Sequence, residues 1–528
     1  MRARWNALSR QTQAVIGLAV AFVLLRTIIA SLSGFGFHQG WNEGHYALLG
    51  SGFLDHPLVP RYGDRFVYSV PPLFPYTISV SFLLFGESVL AARLPSILAT
   101  GGLIYCTYEL GREVFEDRQT AVVGAVIIAT LPYVQLYGGR AQTDIMMVFF
   151  ITAAVTSILK GYRRETGWQY WLVSGAALFA AAVATKQPAL GAAGIILFWL
   201  LGNQNFNKTA FKRTVLLIVG SIICLLPLLI WMYFNYQLAP VAFVASWEHE
   251  LFGRTSAFAN IQLLILIGLI VGMTPLVLAS SAIDVITEFR DTVVQYRNSQ
   301  SNEPGPSVLV WWLVLFGLFV FARSPQGHQY YAIVLAPPLA LLAASGFRTI
   351  AHKLHRRSSF EQNELYVVVI CIALLTTLSG TVVLFELSGE FSVANGGGTQ
   401  VASDASNFVI EEIPEDATLL VANGYAPPVK WYLRHDRPVD QILSYHPSSL
   451  DKQRIQSISA DTDGSVYLIA PSPSWGYSSS IETEQIYSTP QYESTVMSTI
   501  GKYIKTNSKF TYYINDRQIV VYRITSVN

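Results

Sequence analysis

Ionisable side chains are concentrated in a few short polar segments between long apolar runs. The segment GWNEGHYALLG contains Glu43, and the segment YGGRAQTDIMMVFF contains Arg140 and Asp144. A carboxylate in either segment could accept a proton from a bound hydroxyl, so Glu43 and Asp144 are candidate catalytic bases. The alternatives are a loop glutamate that is hydrogen-bonded to nearby backbone, and charges that only anchor a helix end at the interface. The four-residue spacing of Arg140 and Asp144 predicts that both lie on one helix face.

Positive charge recurs in the other polar segments. Lys186 lies between two apolar runs in a turn of only three residues, and FARSPQGHQYY connects two later runs. A lysine in so tight a turn indicates an anionic partner, either a protein carboxylate or a ligand phosphate. Several cations together can neutralise the charge of a phosphate or pyrophosphate. The candidate phosphate-binding residues are Arg140, Lys186, Arg254, Arg323, His328 and Tyr331.

A metal site is the weaker interpretation of Glu248, His249 and Glu250. Ligands on adjacent residues point in different directions, and no longer metal-binding motif surrounds these three. We therefore assign no metal ligands from the sequence. A divalent metal stays open as a cofactor.

The composition around these segments is typical of a membrane protein. Of 528 residues, 52% are hydrophobic and 13% are charged, whereas a soluble domain has about 25% charged residues. The net charge of +1 argues against a nucleic-acid partner. Eleven apolar runs roughly match the thickness of a bilayer. They lie near 14–32, 89–108, 119–136, 145–160, 170–184, 188–202, 214–234, 261–280, 307–322, 330–345 and 366–386.

The distribution of Lys and Arg predicts the orientation in the membrane. Seventeen of these residues fall in segments on the same side of the membrane as the N-terminus, and six fall in segments on the opposite side. Positive residues concentrate in cytoplasmic loops, so the N-terminus is predicted to be cytoplasmic, and an odd number of spans places the C-terminus outside. In this orientation the candidate residues lie in or beside the outer segments, which are 33–88, 137–144, 185–187, 235–259 and 323–329.

The step in composition near residue 386 predicts two domains. Residues 1–386 form a membrane domain with a large outer loop at 33–88, in which the short, proline-rich stretch 72–85 is expected to lie along the surface. Residues 387–528 form an extracytoplasmic domain with an amphipathic helix at 401–412 and strands at TLLVA, SVYLIA and QIVVYRI. The predicted fold class is a polytopic α-helical membrane protein with a small C-terminal α/β domain.

The order of these motifs resembles a known family. The chain is similar to the GT-C membrane glycosyltransferases, specifically the group like glycosyltransferase family 39 that includes protein O-mannosyltransferases and the aminoarabinose transferase of lipid A. In that family an Asp-Glu pair and an aromatic residue open the first outer loop. A Pro-Pro segment, an Arg and an Asp, a Lys and a late His-Tyr segment follow. The matching residues, within roughly 14–345, are Asn42-Glu43 with Tyr46, Pro71-Pro72-Leu73, Arg140 with Asp144, Lys186, and His328 with Tyr330 and Tyr331.

Two positions depart from the family pattern. Asn42 stands where the family usually has the aspartate assigned as catalytic, and Ser69-Val70 stands where a lysine commonly precedes Pro-Pro. These departures leave open which carboxylate is the base. Without that lysine, the phosphate would be bound by the other cations. The departures also indicate a different donor or acceptor.

The resemblance implies an enzyme of the cell membrane, an inverting hexosyl- or pentosyltransferase of the GT-C type. Its donor would be a sugar on a polyprenyl-phosphate carrier, and its acceptor a hydroxyl of a lipid, glycan or protein at the outer face. The competing class is a transporter or flippase of lipid-linked sugars. Transporters commonly have internal repeats and charges inside spans, whereas here only Arg26 and Arg93 interrupt the apolar runs. A scaffold of a cell-envelope complex is a third class.

The orientation is testable with reporters. A fusion after residue 528 should be exposed outside the cytoplasm, and one within the basic loop 350–358 should be cytoplasmic, because that loop has three Lys and Arg residues. Alkaline phosphatase and green fluorescent protein activities report the two sides. Both fusions on one side of the membrane would contradict the orientation.

Overall fold

The computed structural model is largely helical up to residue 388 and contains a mixed sheet beyond it. It describes residues 8–35, 40–62, 65–68, 70–202, 208–252, 274–298, 307–323, 329–356, 361–388, 401–422, 426–437, 441–445, 456–458, 465–471, 481–488 and 519–527. The helices up to residue 388 are α1 (Arg10–Ser31), α2 (Gly40–Asp55), α3 (Leu73–Phe85), α4 (Val89–Phe115), α5 (Arg118–Thr130), α6 (Pro132–Tyr137), α7 (Thr143–Arg163), α8 (Trp168–Thr185), α9 (Gly191–Gly202), α10 (Lys208–Leu238), α11 (Pro240–Phe252), α12 (Pro275–Asn298), α13 (Ser307–Arg323), α14 (Ala336–His355) and α15 (Gln362–Ser388). Two short strands, β1 (Arg61–Tyr62) and β2 (Arg65–Phe66), form an antiparallel pair.

Six segments of the described chain are long and apolar enough to cross a membrane. They are Arg10–Ser31, Val89–Phe115, Thr143–Arg163, Lys208–Leu238, Tyr331–His355 and Asn363–Thr381. The prediction of a mostly helical protein with several spans is confirmed. The count of eleven spans stays a prediction, since other predicted runs form shorter apolar helices and the run near 261–280 lies largely outside the described residues.

The chain forms two compact units whose segments alternate along the sequence. The first unit contains Met1–Thr27, Val67–Phe74 and Pro95–Leu384, and the second contains Ile28–Phe66, Pro75–Leu94 and Phe385–Asn528. These units are defined by contacts within the structure. The division at residue 386 into a membrane domain and an extracytoplasmic domain stays a prediction.

Helices of the first unit approach closely through small residues. A Cβ at Gly175 of α8 would lie 2.6 Å from Cγ1 of Ile158 on α7, and a Cβ at Gly346 of α14 would lie 2.2 Å from the carbonyl oxygen of Ser280 on α12. The hydroxyl of Ser280 donates to the carbonyl of Ala343 at 3.0 Å. Such contacts are typical of helix packing in membranes, where dispersion and interhelical hydrogen bonds replace the hydrophobic effect.

The second unit contains a five-stranded sheet. Its strands are β3 (Thr418–Ala422), β4 (Ile442–Tyr445), β5 (Val466–Pro471), β6 (Ile481–Ser488) and β7 (Ile519–Val527), in the order β4-β3-β5-β7-β6. β3 is parallel to β4 and β5, whereas β7 is antiparallel to β5 and β6. The helices α16 (Val401–Glu412) and α17 (Ala426–Leu433) accompany it. The predicted helix and three strands are therefore present, while β4 and β6 had not been predicted.

α17 packs on α2 within the second unit. A Cβ at Gly44 of α2 would lie 2.6 Å from the backbone nitrogen of Pro428, so the two helices touch through their backbones. The ring of Phe35 contacts that of Trp431 at 5.7 Å, and its amide donates to the hydroxyl oxygen of Tyr432 at 3.1 Å. Burial raises the pKa of Tyr432, so this hydroxyl stays neutral at physiological pH. Residues separated by most of the sequence thus share one core.

Substitution of Gly44 tests this contact. Gly44→Ala introduces a methyl group that only a backbone shift accommodates, so we expect a loss of about 1–3 kcal/mol in unfolding free energy. The measurement is thermal unfolding of the detergent-solubilised protein. Gly17→Ala is the matched control, because a Cβ at Gly17 meets nothing within 4 Å and alanine favours the helix. Equal melting temperatures for the two variants would contradict the contact.

Candidate active site

A short loop between α6 and α7 holds Arg140 in the first unit. Pro132 occupies the first turn of α6, where no N–H is needed, and the helix ends at Tyr137. The amide of Arg140 donates to the carbonyl of Tyr137 at 3.3 Å, and the hydroxyl of Ser96 on α4 contacts the backbone of Gln142 at 3.2 Å. The loop is thereby held against α4, and the side chain of Arg140 is 1% exposed.

Asp144 lies in the first turn of α7. A carboxylate is favourable there because the helix dipole places partial positive charge at this end. Gln142 precedes the helix in an extended conformation, so Arg140 is not helical. The expectation that Arg140 and Asp144 lie on one helix face is therefore wrong, although both side chains are buried.

Asp144 forms a buried ion pair with Lys186. The ammonium nitrogen of Lys186 lies 2.7 Å from Oδ1 and 2.8 Å from Oδ2 of Asp144, and the two side chains are 13% and 3% exposed. Lys186 is extended between the end of α8 at Thr185 and the 3-10 turn Gln187–Leu190. The anionic partner predicted for this lysine is thus a protein carboxylate.

Tyr331 completes this group of contacts. It lies in the 3-10 turn Gln329–Leu335 that precedes α14, and the ammonium nitrogen of Lys186 lies 4.6 Å from the centre of its ring. A cation over an aromatic face is stabilised by the ring quadrupole. The structure therefore brings Asp144, Lys186 and Tyr331 together, as three of the residues predicted for the site.

Glu43 forms a second buried ion pair, within the second unit. It lies in the first turn of α2, and its two oxygens accept hydrogen bonds from Nε of Arg93 at 2.7 Å and from Nη2 at 2.9 Å. The same guanidinium donates to the hydroxyl of Ser33 at 2.7 Å and to the carbonyl of Gly34 at 2.6 Å. Glu43 is 0% exposed. This bidentate arrangement commits both carboxylate oxygens to a cation that stays protonated.

Arg93 was missed as a site residue in the reading of the sequence. The available signal was its position inside an apolar run of α4, where a charge is costly and requires a partner. Arg26 in α1 gives the same signal and is also buried, with 2% exposure. A charged residue inside a span thus pointed to a structural or functional contact in both cases.

Three predicted site residues lie beyond what the structure describes. Arg254 and His328 are outside the described residues, and Arg323 ends α13 with its side chain outside them. The side chains of Glu248, His249 and Glu250 are likewise not described. Within the described residues, no group of three or more His, Cys, Asp and Glu side chains is placed to bind a metal.

Comparison with known sequences identifies a family domain within the first 231 residues. Residues 69–231 match the family described as dolichyl-phosphate-mannose-protein mannosyltransferase. The chain is 28% identical over 189 residues to an uncharacterized protein of Aquifex aeolicus, covering 34% of this chain and 37% of that protein. It is 23% identical over 128 residues to the undecaprenyl phosphate-alpha-4-amino-4-deoxy-L-arabinose arabinosyl transferase of Pseudomonas savastanoi pv. phaseolicola, covering 24% of each. The matches thus span well under half of either relative.

Solved structures share the fold over nearly the whole chain. ArnT from Cupriavidus metallidurans bound to undecaprenyl phosphate superposes with a TM-score of 0.63 at 14% identity, covering 97% of this chain and 98% of that one. The oligosaccharyltransferase AglB from Archaeoglobus fulgidus superposes with a TM-score of 0.58 at 13% identity, covering 86% and 69%. The mycobacterial arabinofuranosyltransferase AftD gives 0.52 at 14% identity, covering 98% and 40%.

These matches define the class of protein. The chain has the fold of the GT-C membrane glycosyltransferases. Its segment 69–231 matches the protein mannosyltransferase family, and the resemblance predicted from the motifs is confirmed.

The Glu43–Arg93 pair predicts a stability effect. Glu43→Gln leaves the buried guanidinium of Arg93 with a neutral partner, and breaking a buried pair costs about 3–5 kcal/mol. We therefore expect a clear fall in melting temperature, with partial recovery in Glu43→Gln/Arg93→Gln, where the charge is balanced again. Glu411→Gln, an exposed position of the same unit, is the control. A variant with the parent melting temperature but little turnover would instead assign Glu43 to catalysis.

Proposed function

We propose that this protein transfers a sugar from a polyprenyl-phosphate carrier to an acceptor hydroxyl at the outer face of the cell membrane. The observation that carries the proposal is the buried Asp144–Lys186 pair against Tyr331, in a fold shared with GT-C glycosyltransferases. One of those proteins was solved with undecaprenyl phosphate bound. The site combines a proton acceptor and a cation, which are the two groups that this transfer requires.

The proposed reaction is a direct displacement. The acceptor oxygen attacks the anomeric carbon and forms the new glycosidic bond, while the bond between that carbon and the phosphate oxygen breaks. The acceptor proton passes to a carboxylate, and the bonding electrons leave with the polyprenyl phosphate. Attack opposite the leaving group inverts the anomeric centre. Burial strengthens each electrostatic contact in such a site.

Asp144 is the better placed of the two candidate bases. Both oxygens of Glu43 accept hydrogen bonds from a planar guanidinium. That guanidinium is itself held in place by hydrogen bonds to Ser33 and Gly34, so it cannot easily turn away from Glu43. Both oxygens of Asp144 face a single ammonium group on a flexible stem. Lys186 can turn towards a donor phosphate and leave Asp144 to accept the proton. Glu43 then has a positioning role in α2.

The cations serve the departing phosphate. Lys186 and Arg140 are the described members of the predicted set, and Arg254, Arg323 and His328 remain proposed members. A phosphate monoester accepts several charge-assisted hydrogen bonds, for which guanidinium and ammonium groups are well suited. Whether the sugar is a hexose or a pentose follows from the assay below.

Measurements of turnover and donor affinity distinguish the proposed general base from the proposed phosphate-binding residues. The assay follows sugar release from a panel of undecaprenyl-phosphate-linked hexoses and pentoses by the purified protein. We expect Asp144→Asn to lower kcat by about 10² to 10⁴, the usual contribution of a general base. We expect Lys186→Ala and Arg140→Ala to raise the donor KM by roughly 10- to 100-fold, as for the loss of a hydrogen bond to a charged group.

Matched variants control for folding and surface charge. Asp436→Asn and Lys208→Ala change the same residue types at exposed positions and should retain parent kinetics. Parallel reactions with EDTA test the requirement for a divalent metal. Parent protein that releases no sugar from any donor, yet moves labelled lipid-linked sugars across vesicles, would replace this proposal with a flippase.

A further inference from the structure

An arginine lies within the first spanning helix. α1 is a 22-residue apolar helix, and Arg26 on it is 2% exposed. The helix ends at Ser31, five positions after Arg26, which corresponds to about 7.5 Å along the axis. In the predicted orientation this depth is close to the outer headgroup region, where the phosphate of a membrane-embedded carrier lies.

The guanidinium of Arg26 occupies the space beside Gly139. A Cβ built on Gly139 would lie 1.9 Å from Nη2 of Arg26 and 2.4 Å from its Cζ and Nε. No side chain larger than hydrogen fits at residue 139 while Arg26 keeps this position. Gly139 directly precedes Arg140, so the residue that Arg26 contacts is followed by a second buried arginine.

The chemistry of this position favours an anionic ligand. An aliphatic side chain would fill the same space without the cost of dehydrating a charge. A guanidinium offers five donors in a planar fork that matches phosphate geometry. A phosphate monoester carries close to two negative charges, so it gains from each buried cation placed near it.

We propose that Arg26 is a further binding residue for the carrier phosphate, and that Gly139 keeps the space that its guanidinium occupies. The inference rests on the proposed function, because the ligand is the polyprenyl phosphate of that reaction. Arg26 binds and positions the phosphate together with Arg140, and takes no part in proton transfer.

The test compares binding of undecaprenyl phosphate with binding of undecaprenol, the neutral alcohol with the same tail. Affinities are measured by ligand-induced thermal stabilisation in detergent over a range of ligand concentrations. We expect Arg26→Met to weaken binding of the phosphate about 10- to 100-fold and to leave binding of the alcohol unchanged. Arg26→Lys, which keeps the charge but loses the fork, should fall between parent and Arg26→Met.

Gly139→Ala gives an independent test that leaves Arg26 in the sequence. Its methyl group displaces the guanidinium, so this variant should lose the same phosphate affinity as Arg26→Met. The double variant should be no weaker than either single variant, since both remove one interaction. Gly17→Ala on the same helix, where a Cβ meets nothing within 4 Å, is the control and should bind both lipids like the parent.

Three outcomes would overturn the inference, and they differ from one another. Parent-like phosphate affinity in Arg26→Met and Gly139→Ala, with weakened affinity in Arg140→Ala, would remove Arg26 from the site and leave the proposed function standing. Parent protein that binds undecaprenyl phosphate no better than undecaprenol would remove the ligand for Arg26 and the proposed function together. Equal losses for phosphate and alcohol in Arg26→Met, Arg26→Lys and Gly139→Ala would show that Arg26 only supports packing.

Discussion

The cost of burying charge is the constraint on which the Glu43–Arg93 and Asp144–Lys186 ion pairs depend. Glu43 is 0% exposed and Asp144 is 2% exposed, and an isolated carboxylate in such surroundings loses hydration worth several kcal/mol. Each is paired with a cation from a distant segment, Arg93 in one unit and Lys186 in the other. The charges therefore connect α2 to α4 and α7 to the end of α8, and separating either pair of helices would leave a buried charge without its partner.

The same constraint gives the two pairs different chemical capacities. Arg93 holds Glu43 with a rigid fork and donates further hydrogen bonds to backbone and hydroxyl oxygens. Lys186 holds Asp144 through one ammonium group and rests on the ring of Tyr331. A ligand phosphate competes more easily for an ammonium on a flexible stem than for a guanidinium fixed by several acceptors. The pair with the less extensive hydrogen bonding is thus the one suited to a reaction cycle.

Sequence reasoning predicted the elements better than the contacts between them. Apolar runs predicted the spans, and β-branched stretches predicted β3, β5 and β7, because both signals are local. α2 was predicted as loop, since GWNEGHYALLGSGFLD has little helical periodicity; its helix is supported by packing against α17. Strand β6, with the sequence IETEQIYS, was not predicted because its composition is polar. Its pairing with β7 stabilises it as a strand.

For the site residues, too, the sequence predicted local features but not the contacts between distant segments. Lys186 was expected to have an anionic partner because its place in a tight turn is visible in the sequence, but the choice between protein and ligand required the fold. The spacing of Arg140 and Asp144 alone predicted that both lie on one helix. In the structure Gln142 is extended and the helix begins at Thr143, so it includes only Asp144. Arg93 pairs with Glu43 across 50 residues. No local pattern encodes a contact over that distance.

The packing of α17 on α2 has a consequence for biosynthesis. The hydrogen bond between Phe35 and Tyr432 joins residues 397 positions apart. At roughly 5 to 20 residues per second, the ribosome needs about 20 to 80 s to make the chain between them. Throughout that interval the surface of α2 that will contact Pro427 and Pro428 is not yet covered by α17. We therefore expect other proteins to cover this surface of the nascent chain until α17 has been synthesised.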